Sequence, residues 1–138
     1  MVAQSGSLML LKVYNKISNK FEIVGGMRST KFLLNNQLLD VTTKESGRWR
    51  NLLSGVGNAY ITISGSGVFT DQDSELVVRD AAFGSRVLDF EMSFGNGDIL
   101  SGEFLINVYE RIGNMSEEEI YNLGLESSGQ VSYTTRKN

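Results

Sequence analysis

The 138-residue chain has no cysteine, no histidine and no proline. Without cysteine it can form no disulfide, no thiolate metal site and no cysteine nucleophile. Without histidine it loses the serine–histidine nucleophilic schemes, zinc sites of the usual kind and the commonest general base. No cofactor or metal is called for, and the expectation is a protein that is not an enzyme. The lack of proline leaves every strand free to donate its ladder amides, and 15 glycines are available to make turns. Positive charge is scarce: 13 Lys and Arg against 16 Asp and Glu give a net charge of −3. That balance argues against a groove gripping nucleic acid, because phosphate binding draws its affinity from lysine and arginine. Long apolar runs are missing as well. Leu8-Met9-Leu10-Leu11 is broken by Lys12, too short for a signal-peptide core or a membrane span, so the chain is expected to be made in the cytoplasm with no membrane partner.

What is present suits one domain over 1–138, since 41% hydrophobic residues in a chain of this length can bury a core unaided. Runs at 8–14, 21–24, 30–34, 60–69, 87–94, 99–110, 120–126 and 131–135 read as strands. Short strands at this spacing predict a mainly β fold, an antiparallel sandwich or barrel of about eight strands. Asn96-Gly97 between two alternating runs predicts a tight hairpin, and Ser128-Gly129 divides the last two strands in the same way. The polar end, 134–138, is expected to fray unless a partner pins it. One flanking helix is predicted at about 71–83, capped by Thr70 or Asp71, with Asp73 and Glu75 at its positive end and Gly84 as the left-handed residue after it. Its apolar side is read as Leu76, Val77, Ala81 and Phe83, widened by Val78 and Ala82.

Two constellations stand out. A long loop at about 43–58 carries the only tryptophan, and its Lys44, Glu45, Arg48, Trp49, Arg50, Leu52 and Leu53 combine charge with apolar surface. Long loops in short domains usually bind something, and an aromatic between arginines is the composition of protein interfaces. Either Trp49 and the leucines fold back onto their own core, or the loop reaches a second subunit. The strand at 87–94 alternates Leu88, Phe90, Met92 and Phe94 with Asp89, Glu91 and Ser93, so one face is core and the other wet. Asp89 and Glu91 lie roughly 7 Å apart on such a strand, within reach of the spacing of an inverting glycosidase pair. A solvated sheet face explains them more simply, and an acidic channel lining is a third reading. Glu103 lies on the face shared by Leu105, Asn107 and Tyr109, opposite Gly102, Phe104, Ile106 and Val108. Neither a dinucleotide fingerprint nor a phosphate loop is complete, and Leu76 fills the position where a calcium loop opening at Asp71 needs glycine.

The order of these segments resembles the major tail protein, or tail tube protein, of long-tailed phages, prophages and gene transfer agents. The likeness is carried by Ala3-Gln4-Ser5-Gly6 leading into Leu8-Met9-Leu10-Leu11-Lys12-Val13, then Gly26-Met27-Arg28-Ser29-Thr30, and Asp40-Val41-Thr42 followed by Ser46-Gly47-Arg48-Trp49-Arg50. Ser64-Gly65-Ser66-Gly67-Val68-Phe69, the helix from Ser74 and Leu125-Glu126-Ser127-Ser128-Gly129 complete it. The resemblance implies a structural virion protein without catalysis or cofactor, assembled as stacked hexameric rings through which DNA leaves the capsid. It implies a loop at about 43–58 reaching the adjacent ring, an acidic lumen for which Asp89, Glu91 and Glu103 are candidates, and DNA that passes without specific binding. Implied partners are other copies of the chain, a tape-measure protein, a tail terminator and baseplate or distal tail proteins. A neck or tail-completion ring protein of the same β architecture is the alternative, with a small carboxylate-dependent glycan-active enzyme behind it.

Overall fold

The computed structural model describes residues 9–55 and 57–136. The 3–6 motif, Leu8, Val56 and the last two residues of the polar end lie outside the described residues. Strands β1 (Leu10–Asn15), β2 (Lys20–Ile23), β3 (Met27–Asn36), β6 (Ala59–Val68), β7 (Val87–Ser93), β8 (Ile99–Ile112), β9 (Ile120–Ser127) and β10 (Ser132–Thr134) form one antiparallel sheet. Its order is β2-β1-β7-β8-β9-β6-β3, with β10 paired to β8. A separate two-stranded ribbon pairs β4 (Leu39–Asp40) with β5 (Leu52–Leu53). The mainly β class, the eight-stranded main sheet and the single flanking helix agree with the sequence reading.

The sheet is curled because its edges are tied. Only residues 24–26 separate β2 from β3, four Cα steps that reach at most about 14 Å. A flat sheet would hold those edges about 29 Å apart, six spacings of about 4.8 Å. The chain instead closes into a half-barrel, with Leu11, Val13, Ile63, Phe90, Met92, Leu100, Phe104 and Leu125 buried inside. The corner needs glycine: Gly26 has φ +79°, and a Cβ there would stand 2.0 Å from the Val68 carbonyl oxygen. Tyr121, fully buried, donates its hydroxyl to the Gly25 carbonyl at 2.5 Å. Burial, with the Glu75 charge adding, pushes its phenol up to about 12.

Helix α1 (Asp73–Gly84) packs against β8 and β1. Its buried residues are Ser74, Glu75, Val78 and Ala81, one helical face at spacings of about three and four. Leu76 and Phe83, assigned to the core side from the sequence, are 44% and 83% exposed, because they share a line seven residues apart on the outer face. The capping also differs. Gln72 holds the N-cap position with no side-chain cap bond, and Ser85, not Gly84, takes the left-handed conformation.

What draws Glu75 inward is a β-bulge. The β8–β9 register shifts between Ile106 and Val108, so Asn107 is the extra residue and the alternation reverses. Tyr109, expected on the polar face, therefore turns to the core side and donates its hydroxyl to Glu75 Oε2. Arg79 Nη2 lies 3.1 Å from Glu75 Oε1 and 3.3 Å from Asp71 Oδ1. Desolvation and the Glu75 bond raise the Tyr109 pKa well above its ordinary value.

The second hairpin expectation is corrected. β10 does not pair with β9; it continues along the same edge of β8, with Ser132 opposite Ser101 where β9 ended opposite Phe104. Gly129, at φ +86°, interrupts the strand without reversing it. The polar segment as far as Arg136 is held by its own fold: Tyr133 donates its hydroxyl to Asp98 Oδ2 at 2.7 Å, and the Arg136 amide donates to Asp98 Oδ1 at 2.8 Å.

Replacing Tyr109 by Phe strands Glu75 Oε2 in a buried site, which is expected to cost about 1–3 kcal/mol of unfolding free energy. Urea denaturation followed by circular dichroism measures this, and an unchanged midpoint contradicts the buried-network account.

Candidate functional site

The predicted loop is a structured arm. From Asn36 opposite Ala59, the ladder continues through the Gln37 amide, which donates to the Asn58 carbonyl at 2.8 Å, into the β4–β5 ribbon and the Val41–Asn51 bond of 3.0 Å. The arm therefore begins at 37, earlier than the sequence indicated. Its tip is closed by side chains that substitute for a ladder. Asp40 Oδ1 accepts from the Thr42 amide at 2.8 Å, the Asn51 amide donates to Thr42 Oγ1 at 2.9 Å, and Asn51 Nδ2 donates to Ser46 Oγ at 2.6 Å. A single 3-10 turn, Lys44–Ser46, fills the bend. Hydrogen bonding from Thr42, with the Arg50 charge adding, lowers the Asp40 carboxyl below its ordinary value.

Lys44, Glu45, Arg48, Trp49 and Arg50 lie together at this tip, and Leu52 and Leu53 lie on its stem, Leu53 opposite Leu39. None of them reaches the core. Trp49 is 71% exposed with the Arg48 guanidinium 5.2 Å from its ring centroid, and Leu38, Leu39, Val41, Leu52 and Leu53 are all exposed. The reading in which Trp49 and the leucines pack onto their own core is thereby excluded. Leu38, Leu39 and Val41 belong to this apolar set too, and the sequence reading missed them because a two-residue strand carries no periodic signal.

The second candidate is the sheet face turned away from the core. Asp89 is the direct cross-strand neighbour of Glu103, and Glu91 is flanked by Lys12 and Ser101. Like charges directly opposite repel, so Asp89 and Glu103 weaken the sheet they belong to. The register adds two carboxylates that the sequence reading did not name. Glu126 lies opposite Leu105 and accepts from Thr62 Oγ1 at 3.0 Å, and Glu110 accepts from Asn122 Nδ2 at 2.7 Å. Glu126 was legible from the alternation with Tyr121, Leu123 and Leu125; Glu110 was hidden by the bulge. Five carboxylates, Asp89, Glu91, Glu103, Glu110 and Glu126, thus share this face with Lys12 and Lys31 as its strand lysines. Asp89 and Glu103 border a shallow cleft of about 370 Å³ that does not include Glu91, so the pair considered for glycan chemistry is not brought into one cleft. No group of carboxylates suited to hold a metal occurs among the described residues.

Comparison with known proteins concerns the chain as a whole. Residues 3–133 match the family model described as phage tail tube protein. A chain in the tail of an empty gene transfer agent particle with C6 symmetry superposes with a TM-score of 0.90 at 36% identity, covering 96% of this chain and 100% of that one. A chain from the virion of a native gene transfer agent particle gives 0.86 at 35% identity, with 96% and 100% covered. The SPP1 tail tube shares the fold, with a TM-score of 0.75 at 10% identity over 99% of this chain and 81% of that one. No curated protein matches significantly.

The one tryptophan sits in the arm, so its fluorescence reports the arm alone. The Asp40 carboxyl is held below its ordinary value by hydrogen bonds from Thr42, so the order it gives the tip is fully present at and above the ordinary carboxylate range and is lost as pH falls through the lowered folded value. Acid titration should change Trp49 emission in that range, and Asp40→Asn should remove the step. A titration identical in the variant contradicts this role.

Proposed function

Because this chain belongs to the phage tail tube protein family, we propose that it is the major tail subunit of a phage-like particle, assembled as hexameric rings stacked into the conduit for DNA ejection. It is a structural protein of a virion or gene transfer agent tail. The observation that carries the ring-to-ring reading is the arm, whose Leu38, Leu39, Val41, Trp49, Leu52 and Leu53 are left unburied by their own chain. An exposed apolar set of this kind marks an interaction site. Lys44, Glu45, Arg48, Trp49, Arg50, Leu52 and Leu53 are the contacts to the adjacent ring. The whole of 1–138 acts as one tube-building domain and performs no catalysis.

Asp89, Glu91 and Glu103, joined by Glu110 and Glu126, line the lumen. The supporting argument is electrostatic: DNA phosphates find few cations on this face, so the duplex passes without adhering. Repulsion between Asp89 and Glu103 costs folding stability, a cost that makes sense where the face must stay free of DNA. Rings stacked head to tail leave two unlike ends, so a terminator and a distal or baseplate protein must each cap one of them, while a tape-measure protein occupies the lumen before ejection.

Electron microscopy of the concentrated chain should show sixfold rings or tubes, and immunolabelling should decorate the whole tail shaft; label confined to one ring favours a completion protein. Trp49→Ala should leave a folded monomer by circular dichroism but impair tube growth, since truncating a buried interface aromatic costs about 2 kcal/mol or more. An unfolded variant contradicts the interface role. Asp89→Lys with Glu103→Lys should leave tubes intact but slow DNA release from particles; release at the unaltered rate counts against the lumenal assignment.

A further inference from the structure

Stacked rings need a receiving surface for the arm, and the strand register gives the subunit two unlike ends on which to look for it. Strand β6 runs from Ala59, where the arm attaches, to Val68, which pairs with Ile120 beside the β8–β9 turn. Nine strand steps separate these ends by about 30 Å. The arm therefore leaves the half-barrel at one end, and the acidic turn Glu117-Glu118-Glu119 marks the other.

At that second end lies a cleft of about 370 Å³ lined by Arg28, Val68, Ser116, Glu117, Glu118 and Ile120. Val68 and Ile120 are cross-strand neighbours that make its apolar part, and Glu117 and Glu118 supply negative charge. These carboxylates are not held by their own chain. Glu118 approaches Arg28 only at 3.6 Å, between side chains 65% and 69% exposed, a contact of little energy. Glu117 makes no side-chain hydrogen bond or ion pair among the described residues. Glu119 differs: it is committed to Arg111, whose Nε and Nη2 donate to it at 2.6 and 3.0 Å.

The arm tip is the converse surface: the Arg48 guanidinium lies 5.2 Å from the centroid of the exposed Trp49 ring, and Arg50 follows it in sequence. Resting on the stacked-ring reading, we propose that Arg48-Trp49-Arg50 of one copy docks in the Val68–Ile120 cleft of a second copy in the adjoining ring. Trp49 covers the two aliphatic side chains, and Arg48 and Arg50 face Glu117 and Glu118. Arginine–carboxylate pairs are strengthened when an aromatic excludes water beside them. Because donor and acceptor sit at opposite ends of the subunit, the contact is heterologous and does not close. Each ring added presents a fresh acceptor or a fresh arm, which is the requirement for a shaft of many rings.

The test uses the full-length chain, with tube mass at fixed concentration read by sedimentation and electron microscopy. Arg48→Glu with Arg50→Glu, and separately Glu117→Lys with Glu118→Lys, should each lower tube mass roughly tenfold or more, the effect expected of reversing close interfacial charge pairs. The chain carrying all four substitutions should recover to within about threefold of the unaltered one. All of these side chains are exposed, and circular dichroism checks that the variants fold. Normal tubes from the Glu117→Lys, Glu118→Lys chain, or no recovery in the fourfold variant, overturn this inference alone. If the unaltered chain forms neither rings nor tubes at any concentration, the stacked-ring reading fails and takes the inference with it.

Discussion

The short link between β2 and β3 governs the molecule. Residues 24–26 tie the two edges of a seven-strand path, and the sheet has to curl until one face is inside. Period-two alternation then does the sorting. Leu11, Val13, Phe90, Met92, Leu100 and Phe104 fill the inside, and the remaining face, with Asp89, Glu91 and Glu103, is left to whatever surrounds the subunit. The helix serves the same enclosure. It packs on β8 and β1, and its buried Glu75 is accommodated only because Tyr109 and Arg79 meet it there. A buried carboxylate without those partners would be strongly destabilising.

Once the interior is closed, the arm has nowhere to bury its apolar residues within its own chain. Its hydrogen bonds are local, from Asp40, Thr42, Ser46 and Asn51, so the tip holds a shape without a core. A shaped tip arrives at an interface with part of its ordering entropy already lost. The arm, the acidic face and the acidic turn are therefore three consequences of one curled sheet: an extension at one end, a polar wall, and a cleft between Val68 and Ile120 at the other. A tube assembled from such subunits has polarity built into every ring.

Much of this was legible in the sequence. The strand at 87–94 declared its two faces by strict alternation, and Asn96-Gly97 declared its turn. Gly97 has φ +98°, and the Phe94 amide donates to the Asp98 carbonyl across the turn at 3.0 Å. The misreadings share a cause, which is that a tertiary contact outweighed a local pattern. Leu76 and Phe83 resemble core residues by hydrophobicity, but the Glu75–Tyr109 bond turns a different helix face inward. Tyr109 reaches Glu75 only through the bulge at Asn107, and no periodicity signals a single extra residue. Ser128-Gly129 has hairpin composition, yet the edge of β8 was open and β10 continued along it. In the loop, composition singled out Trp49 and its arginines as candidate contacts, and the fold leaves Trp49 exposed, while the ribbon beneath them rests on two-residue strands that only the fold shows.

The central claim is that this chain builds the tail shaft and that each ring grips the next through its arm. Cryo-electron microscopy of tails from particles carrying the chain tests both parts at once. The account predicts six copies in every ring along the shaft, with Trp49 against a subunit of the adjoining ring. A shaft built of another protein, or arms folded back on their own subunits between stacked rings, would contradict it.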